Sequence, residues 1–357
     1  MEVEVDPWGS NLVNQDKIIK NFGLELLNAG EFEEPTDQMK RGVFFGGRDL
    51  KIISDAIRKN EKFYALTGIQ PSSENLHLGN KMAVDNIKYF QDHGAETFFV
   101  IADLESLSTR GVSIEEARRR AIEIHIPAYI AMGLNPKKTT FYFQSENTTV
   151  LKTAYECSKK VTENEFKAIY GDNDPGKMMA AFYQMGDIFY PQTKEPAPTI
   201  IPCGVDQEPH IRLSRDLARK FKERGYFSPS SLYQKLLPSL SGKNKMSKSE
   251  PLGVINIPDF ELKKKIMNTL TGGRDSVDEQ RKLGGDPDKC MIFELYKDHF
   301  LNDESLEQVY NNCRKGKLLC GEDKINALRI MEDFMENFKD KMEKARSAVD
   351  KIKFARD

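Results

Sequence analysis

The chain has 357 residues, a formal net charge of −2 and five cysteines. That length suits about two to three domains with a substantial core. The balanced charge excludes a globally basic nucleic-acid coat protein, although a local basic patch would still serve RNA. The cysteines (Cys157, Cys203, Cys290, Cys313, Cys320) are scattered without zinc spacing and read as reduced thiols, so no metal site is expected. The acidic start MEVEVD carries no apolar signal core. No window reaches the roughly 18 apolar residues of a membrane span. A soluble, cytoplasmic protein is expected.

Residues 1–60 read as an N-terminal extension, in which Val43-Phe44-Phe45 is a short apolar run and the following Gly46-Gly47 reads as a loop. Residues 63–69 (FYALTGI) predict a buried strand, broken by Gly68 and Pro71. Residues 79–93 have loosely helical spacing, and TFFVIA over 97–102 is a second buried strand. Strand, helix and strand in this length make a βαβ unit with a parallel crossover. Helical patterns follow over Ile114–Met132, with Ser113 as N-cap, then over 150–160, 163–170 and 175–190. Strands are expected at 139–143 and 199–203, and a helix at 207–224. After Pro258 the strand signal fades, and Leu328, Met331, Met335, Phe338, Met342, Ala345, Val349 and Ile352 form a heptad seam. The expected architecture is α/β: a Rossmann-like parallel-sheet catalytic domain over 61–257, with a helical insertion at about 110–195, then an all-α domain over 258–357.

Two short motifs suit phosphate chemistry, the alternatives being a chance tetrapeptide or satisfied loop histidine for the first and a solvated basic linker for the second. His77-Leu78-Gly79-Asn80 opens a helix behind a strand and a turn, where free N–H groups and the helix dipole favour phosphate. Gly68 and Gly79 let backbone approach a nucleotide, and His77 can donate to phosphate oxygens. Far downstream, Lys245-Met246-Ser247-Lys248-Ser249 lies in a Gly-containing loop over 241–252. Two lysines three apart, on a loop able to close late, suit the charge that develops on a leaving pyrophosphate.

Other candidates lie near the carboxyl edge of the sheet, where α/β folds bind ligands. Cys203-Gly204-Val205-Asp206-Gln207 joins a strand to a helix; Asp206 or Gln207 either caps that helix or faces the pocket. Asp103 and Glu105 end the second strand at the same edge. Gln184 and Asp187, three apart on a helical pattern, share a face among Phe182, Tyr183, Met185, Ile188 and Phe189. No Ser-His-Asp order stands out, so no hydrolase is inferred.

The two phosphate motifs, in this order, resemble the ATP signatures of class I aminoacyl-tRNA synthetases. Over nearly the whole chain the resemblance is to the tryptophanyl-tRNA synthetase family. Asp6-Pro7-Trp8, Arg41-Gly42-Val43-Phe44-Phe45 and Thr271-Gly272-Gly273-Arg274 look like its archaeal and eukaryotic frame. Gly68-Ile69-Gln70-Pro71, Gly79-Asn80 and Gln184-Met185-Gly186-Asp187 resemble its bacterial pocket. The resemblance implies ATP-dependent activation of tryptophan to tryptophanyl-adenylate, then transfer to tRNA(Trp). His77, Asn80, Lys245 and Lys248 would be catalytic. Gly68, Gly79, Gly204, Asp206, Met246 and Ser247 would hold ATP, and magnesium would accompany it. Leu66, Gln70, Glu105, Gln184, Asp187 and Gln207 would line the amino acid side. A homodimer formed through the insertion, with anticodon reading by the C-terminal domain and no DNA or membrane partner, is also implied. The alternatives are a tyrosyl enzyme with the same chemistry, a small-molecule nucleotidyltransferase, and a non-catalytic synthetase-like binder.

Overall fold

The computed structural model describes residues 15–171, 174–244, 246 and 250–357. Its centre is a seven-stranded sheet in the order β1-β2-β8-β7-β3-β5-β6. The strands are β1 (Glu25–Leu26), β2 (Phe44–Arg48), β3 (Tyr64–Ile69), β5 (Glu96–Ile101), β6 (Thr139–Phe143), β7 (Thr199–Gly204) and β8 (Ser230–Gln234). From β8 to β6 every neighbouring pair is parallel, and β2 and β1 add antiparallel at the β8 edge. A parallel sheet covered on both faces needs near-continuous apolar strands. Tyr64, Ala65 and Leu66 of β3, and Phe141, Tyr142 and Phe143 of β6, are accordingly buried.

Chain order and strand order together place the switch point. From β3 the chain moves outward through β5 to β6, then returns to the other flank of β3 as β7. The crevice between the carboxyl ends of β3 and β7 is where such sheets take ligands. Gly68 keeps β3 and β5 in register at that end, because a Cβ there would lie 2.2 Å from Val100 Cγ1.

The expected loop at Gly46-Gly47 is instead part of β2. A Cβ on Gly46 would stand 2.4 Å from Glu25 O, and one on Gly47 1.9 Å from Ser231 O. Here the glycines admit the backbones of neighbouring strands rather than making a turn. The described part of the extension, residues 15–60, thus contributes two strands to the sheet.

The crossover helices follow the sequence pattern. Ser113 caps the helix beginning at Ile114, accepting from Glu116 N. Between β6 and β7 run helices Thr148–Lys159, Glu163–Tyr170 and Pro175–Phe189. The heptad seam from Leu328 to Val349 lies on the 30-residue helix Cys320–Val349, where Met331, Phe338, Ala345 and Val349 are buried, and Ile352 falls just past the helix end. It packs on helices Ile126–Ala131 and Leu262–Asn268. One apolar core runs from Phe32 through Phe99 and Tyr129 to Met331 and Phe338, joining extension, sheet and C-terminal helices.

A second, two-stranded ribbon pairs β4 (Leu76–His77) with β9 (Asn256–Ile257), antiparallel. Asn256 stands opposite His77, and Leu78 N donates to Ile255 O at 3.2 Å. This ribbon fastens the first phosphate motif to the strand that follows the lysine loop.

Candidate active site

A cavity of about 330 Å³ opens at the switch point. Leu66 and Gly68 border it from β3 and Gln70 from just past it, Gly204 from the end of β7 and Gln207 from the turn that follows, Glu105 from helix Asp103–Arg110, and Gln184 and Asp187 from helix Pro175–Phe189. Eight residues singled out from the sequence therefore meet in one space. His77, Gly79, Asn80, Asp206 and Met246 lie outside its lining, with helix Leu78–Asp92 entering it through Ala83. Lys245, Ser247 and Lys248 lie outside the described residues.

Asp187 is 2% exposed. Its Oδ1 accepts from the Tyr142 hydroxyl at 3.1 Å and its Oδ2 from Gln144 Nε2 at 2.6 Å. Burial pushes this carboxyl well above the ordinary range, while the donors of Gln144 and Tyr142 pull it back. Each carboxylate oxygen retains a lone pair beyond these bonds, so a further donor entering the cavity can be accepted.

Tyr142 and Gln144 were not among the sequence candidates. The run Phe141-Tyr142-Phe143-Gln144 reads as a buried strand. The available signal was its period of two, which points Tyr142 and Gln144 to the same side.

Glu105 is the cavity's second acid. Burial pushes it up to about 7, and the Arg110 charge opposes that rise. Asp103, read beside it as an edge acid, is buried and turned away: Oδ1 accepts from Leu104 N and Ser145 N, and Oδ2 from the Ser145 hydroxyl at 2.5 Å. Gln70 Nε2 donates to Thr109 Oγ1 at 2.7 Å. Gln184 Nε2 donates to Gln207 Oε1 at 3.4 Å, and Gln207 makes no side-chain cap on helix Glu208–Lys220. Of its two possible roles, Gln207 thus takes the pocket-facing one. His210, also in the lining, shares a hydrogen bond of 2.8 Å between its Nδ1 and the Tyr170 hydroxyl, and burial pushes it down to about 3.

The first phosphate motif is a reciprocal cap. His77 Nδ1 accepts from Gly79 N at 3.1 Å, and Asn80 Oδ1 accepts from His77 N at 3.0 Å. A neutral His77 ring then carries its proton on Nε2. Gly79 is required by closeness, since a Cβ there would lie 2.9 Å from His77 Nδ1. The Tyr129 hydroxyl also hydrogen-bonds Asn80. Gly204 plays a similar part, a Cβ there falling 2.4 Å from Asp206 Oδ1.

The base of the lysine loop is tied on both sides. Met246 is buried and its N donates to Leu237 O at 2.6 Å, while Leu240 N donates to Gly253 O at 3.0 Å. Beyond the loop, Lys265 Nζ meets Asp259 Oδ2 at 2.6 Å, with both side chains buried. The same Oδ2 accepts from Asn256 N at 2.9 Å, which anchors β9.

The family model described as tRNA synthetases class I (W and Y) matches residues 58–336. The chain is 36% identical to a tryptophan–tRNA ligase of Methanocaldococcus jannaschii, over 98% of each chain. It is 40% identical to one from Hyperthermus butylicus, over 97% of this chain and 96% of that one. Among solved structures it resembles the tryptophanyl-tRNA synthetase of Aeropyrum pernix, with TM-score 0.89 and 38% identity over 96% of this chain and 97% of that one. It also resembles the Encephalitozoon cuniculi enzyme bound to tryptophan, with TM-score 0.85 and 27% identity over 97% and 98% of the two chains.

Proposed function

Since the chain belongs to the class I tRNA synthetases, within their tryptophan–tRNA ligase branch, we propose that the switch-point cavity binds tryptophan and that ATP lies beside it, against the ribbon. In the first step a tryptophan carboxylate oxygen attacks the α-phosphorus in line. A new P–O bond forms as the bond to the β-phosphate oxygen breaks, and pyrophosphate leaves. In the second, a hydroxyl oxygen at the 3′ end of tRNA(Trp) attacks the activated carbonyl, its proton passes to a phosphate oxygen of the adenylate, and AMP leaves with the bonding pair of the broken C–O bond. Positioning and charge neutralisation supply most of the catalysis.

Asp187 accepts the indole N–H, and Glu105 faces the ammonium group. Leu66, Gln70, Gln184 and Gln207 complete the amino acid side. Gly68, Gly79, Gly204, Asp206, Met246 and Ser247 border the nucleotide. His77 and Asn80 meet its phosphates at the helix mouth, and Lys245 and Lys248 stabilise the departing pyrophosphate. Among the described residues no group of three or more His, Cys, Asp or Glu is arranged to hold an ion. Magnesium, which supplies charge neutralisation, would therefore ride on the ATP phosphates.

A homodimer formed through the helices between the two motifs is part of the same proposal. Anticodon reading by the helical C-terminal part and a cytoplasmic setting belong to the same proposal. Among the described residues no helix is long and apolar enough to cross a membrane.

The observation that carries this reading is a buried carboxylate, held by two donors, at the wall of the cavity. Its test is charging of tRNA(Trp) by the intact protein and by Asp187→Ala. The variant should lose about 2–4 kcal/mol in kcat/KM for tryptophan, as expected for a hydrogen bond to a charged group plus the loss of fit. Undiminished charging would remove Asp187 from recognition.

A further inference from the structure

After the long helix Cys320–Val349, the chain turns back to the catalytic sheet. It runs beside β6, the outermost strand on that flank, and covers part of its open edge. Ala355 N donates to Phe141 O at 2.9 Å, and the Phe354 ring lies 5.0 Å from that of Phe143. Asp357 makes three contacts. Its carbonyl accepts from Thr149 N at 2.7 Å, its Oδ1 accepts from the Tyr190 hydroxyl at 2.7 Å, and its Oδ2 pairs with Lys194 Nζ at 2.5 Å.

Tyr190 stands close to the recognition group. It is three residues past Asp187, at the end of the same helix. Its ring meets that of Tyr142 edge-on, with centroids 4.8 Å apart, and the Tyr142 hydroxyl donates to Asp187. Val100 lines the cavity and packs in one small apolar cluster with Tyr142 and Tyr190, against which Ala355 rests. Asp357, Tyr190, Tyr142 and Asp187 therefore form an unbroken series of contacts.

We infer that residues 354–357 are a strap that positions Asp187 for its amino acid, with Tyr190 and Asp357 as positioning residues. The inference rests on the reading of Asp187 as the acceptor for tryptophan. The strap fixes the Tyr190 ring, that ring limits the tilt of Tyr142, and Tyr142 orients the carboxylate. The nucleotide side is held separately, by the β4–β9 ribbon and the helix mouth. Loosening the strap thus acts on the amino acid and leaves ATP unaffected. Because the strap continues from the C-terminal helix, a shift of that helix reaches the amino acid pocket through it.

The test uses the full-length protein, with Tyr190→Phe, Asp357→Ala, their combination, deletion of residues 354–357, and Asp187→Ala as reference. Amino acid-dependent ATP–pyrophosphate exchange gives kcat and the two KM values, and thermal unfolding gives the folded fraction. The expected result is a tryptophan KM raised about three- to tenfold in each strap variant, the factor of one hydrogen bond. The KM for ATP and kcat should stay level. The double variant should resemble either single one, since both break the same link. An unchanged tryptophan KM in all strap variants, alongside a large loss in Asp187→Ala, overturns the strap. So does a fall in apparent kcat that tracks the folded fraction while both KM values stay unchanged. Unchanged tryptophan use in Asp187→Ala overturns the recognition reading first, and the strap with it.

Discussion

In its ionised form a carboxyl that is 2% exposed and already accepts two hydrogen bonds can gain specificity from only one further kind of partner, a donor. Indole offers such a donor and no acceptor, and a site built around it penalises apolar rivals that leave the charge unpaired. Glu105 adds a measurable pH signature. Its carboxyl is raised to about 7 by burial, so in the empty cavity it is protonated below that pH and ionised above it. The ammonium of the amino acid remains charged between roughly pH 6 and 7.5. The tryptophan KM should therefore fall as pH rises through about 7, and Glu105→Gln should flatten the profile. A flat profile in the unmodified protein would contradict the role. The same shift works the other way on the empty fold, which loses stability as pH rises through the folded value, because the ionised acid is poorly solvated in the cavity wall and the Arg110 charge offsets that cost in part. Asp187 and Gln184 were readable as one helix face from their spacing of three, which left a structural cap or a ligand open for the carboxylate, and the family resemblance chose the ligand. Tyr142 and Gln144 were not. Their part depends on which helix packs across β6, and that is decided by tertiary contact.

At the scale of elements, the ribbon of β4 and β9 joins the first phosphate motif to the strand that follows the lysine loop, and a buried ion pair anchors it. Asp259 accepts from Asn256 N and Glu261 N as well as from Lys265. Lys265→Met leaves that acid buried without its countercharge and should destabilise the fold by about 3–5 kcal/mol. Adding Asp259→Asn should recover part of the loss, which denaturant unfolding of the single and double variants would measure. Equal stability of Lys265→Met and the parent would refute the anchor. The parallel strands were readable from their continuous apolar runs, and the helix starts from residues such as Ser113. Gly46-Gly47 misled, because a Gly pair marks either a turn or a close strand contact. The backbones of Glu25 and Ser231, far away in sequence, decide for the contact. The ribbon itself is only two residues per strand, below what periodicity can reveal.

At the scale of the molecule, the C-terminal helices are not an independent appendage. Their seam packs on helix Ile126–Ala131, and the core is continuous from Phe32 to Phe338. A chain cut after Ile257 would expose that interface, so we predict that it fails to hold a cooperative fold in a thermal melt. A sharp transition in the truncated chain would contradict this. The sequence change after Pro258 marked where strands give way to helices, but composition carries no information on which surfaces then meet. The central claim, that the cavity at the β3–β7 switch point selects tryptophan for activation with ATP, has a direct measurement. It is ATP–pyrophosphate exchange by the intact protein, run separately with each of the twenty amino acids. The account predicts exchange that depends on tryptophan and is far weaker with tyrosine. Exchange driven by tyrosine in preference to tryptophan, or by neither, would contradict it.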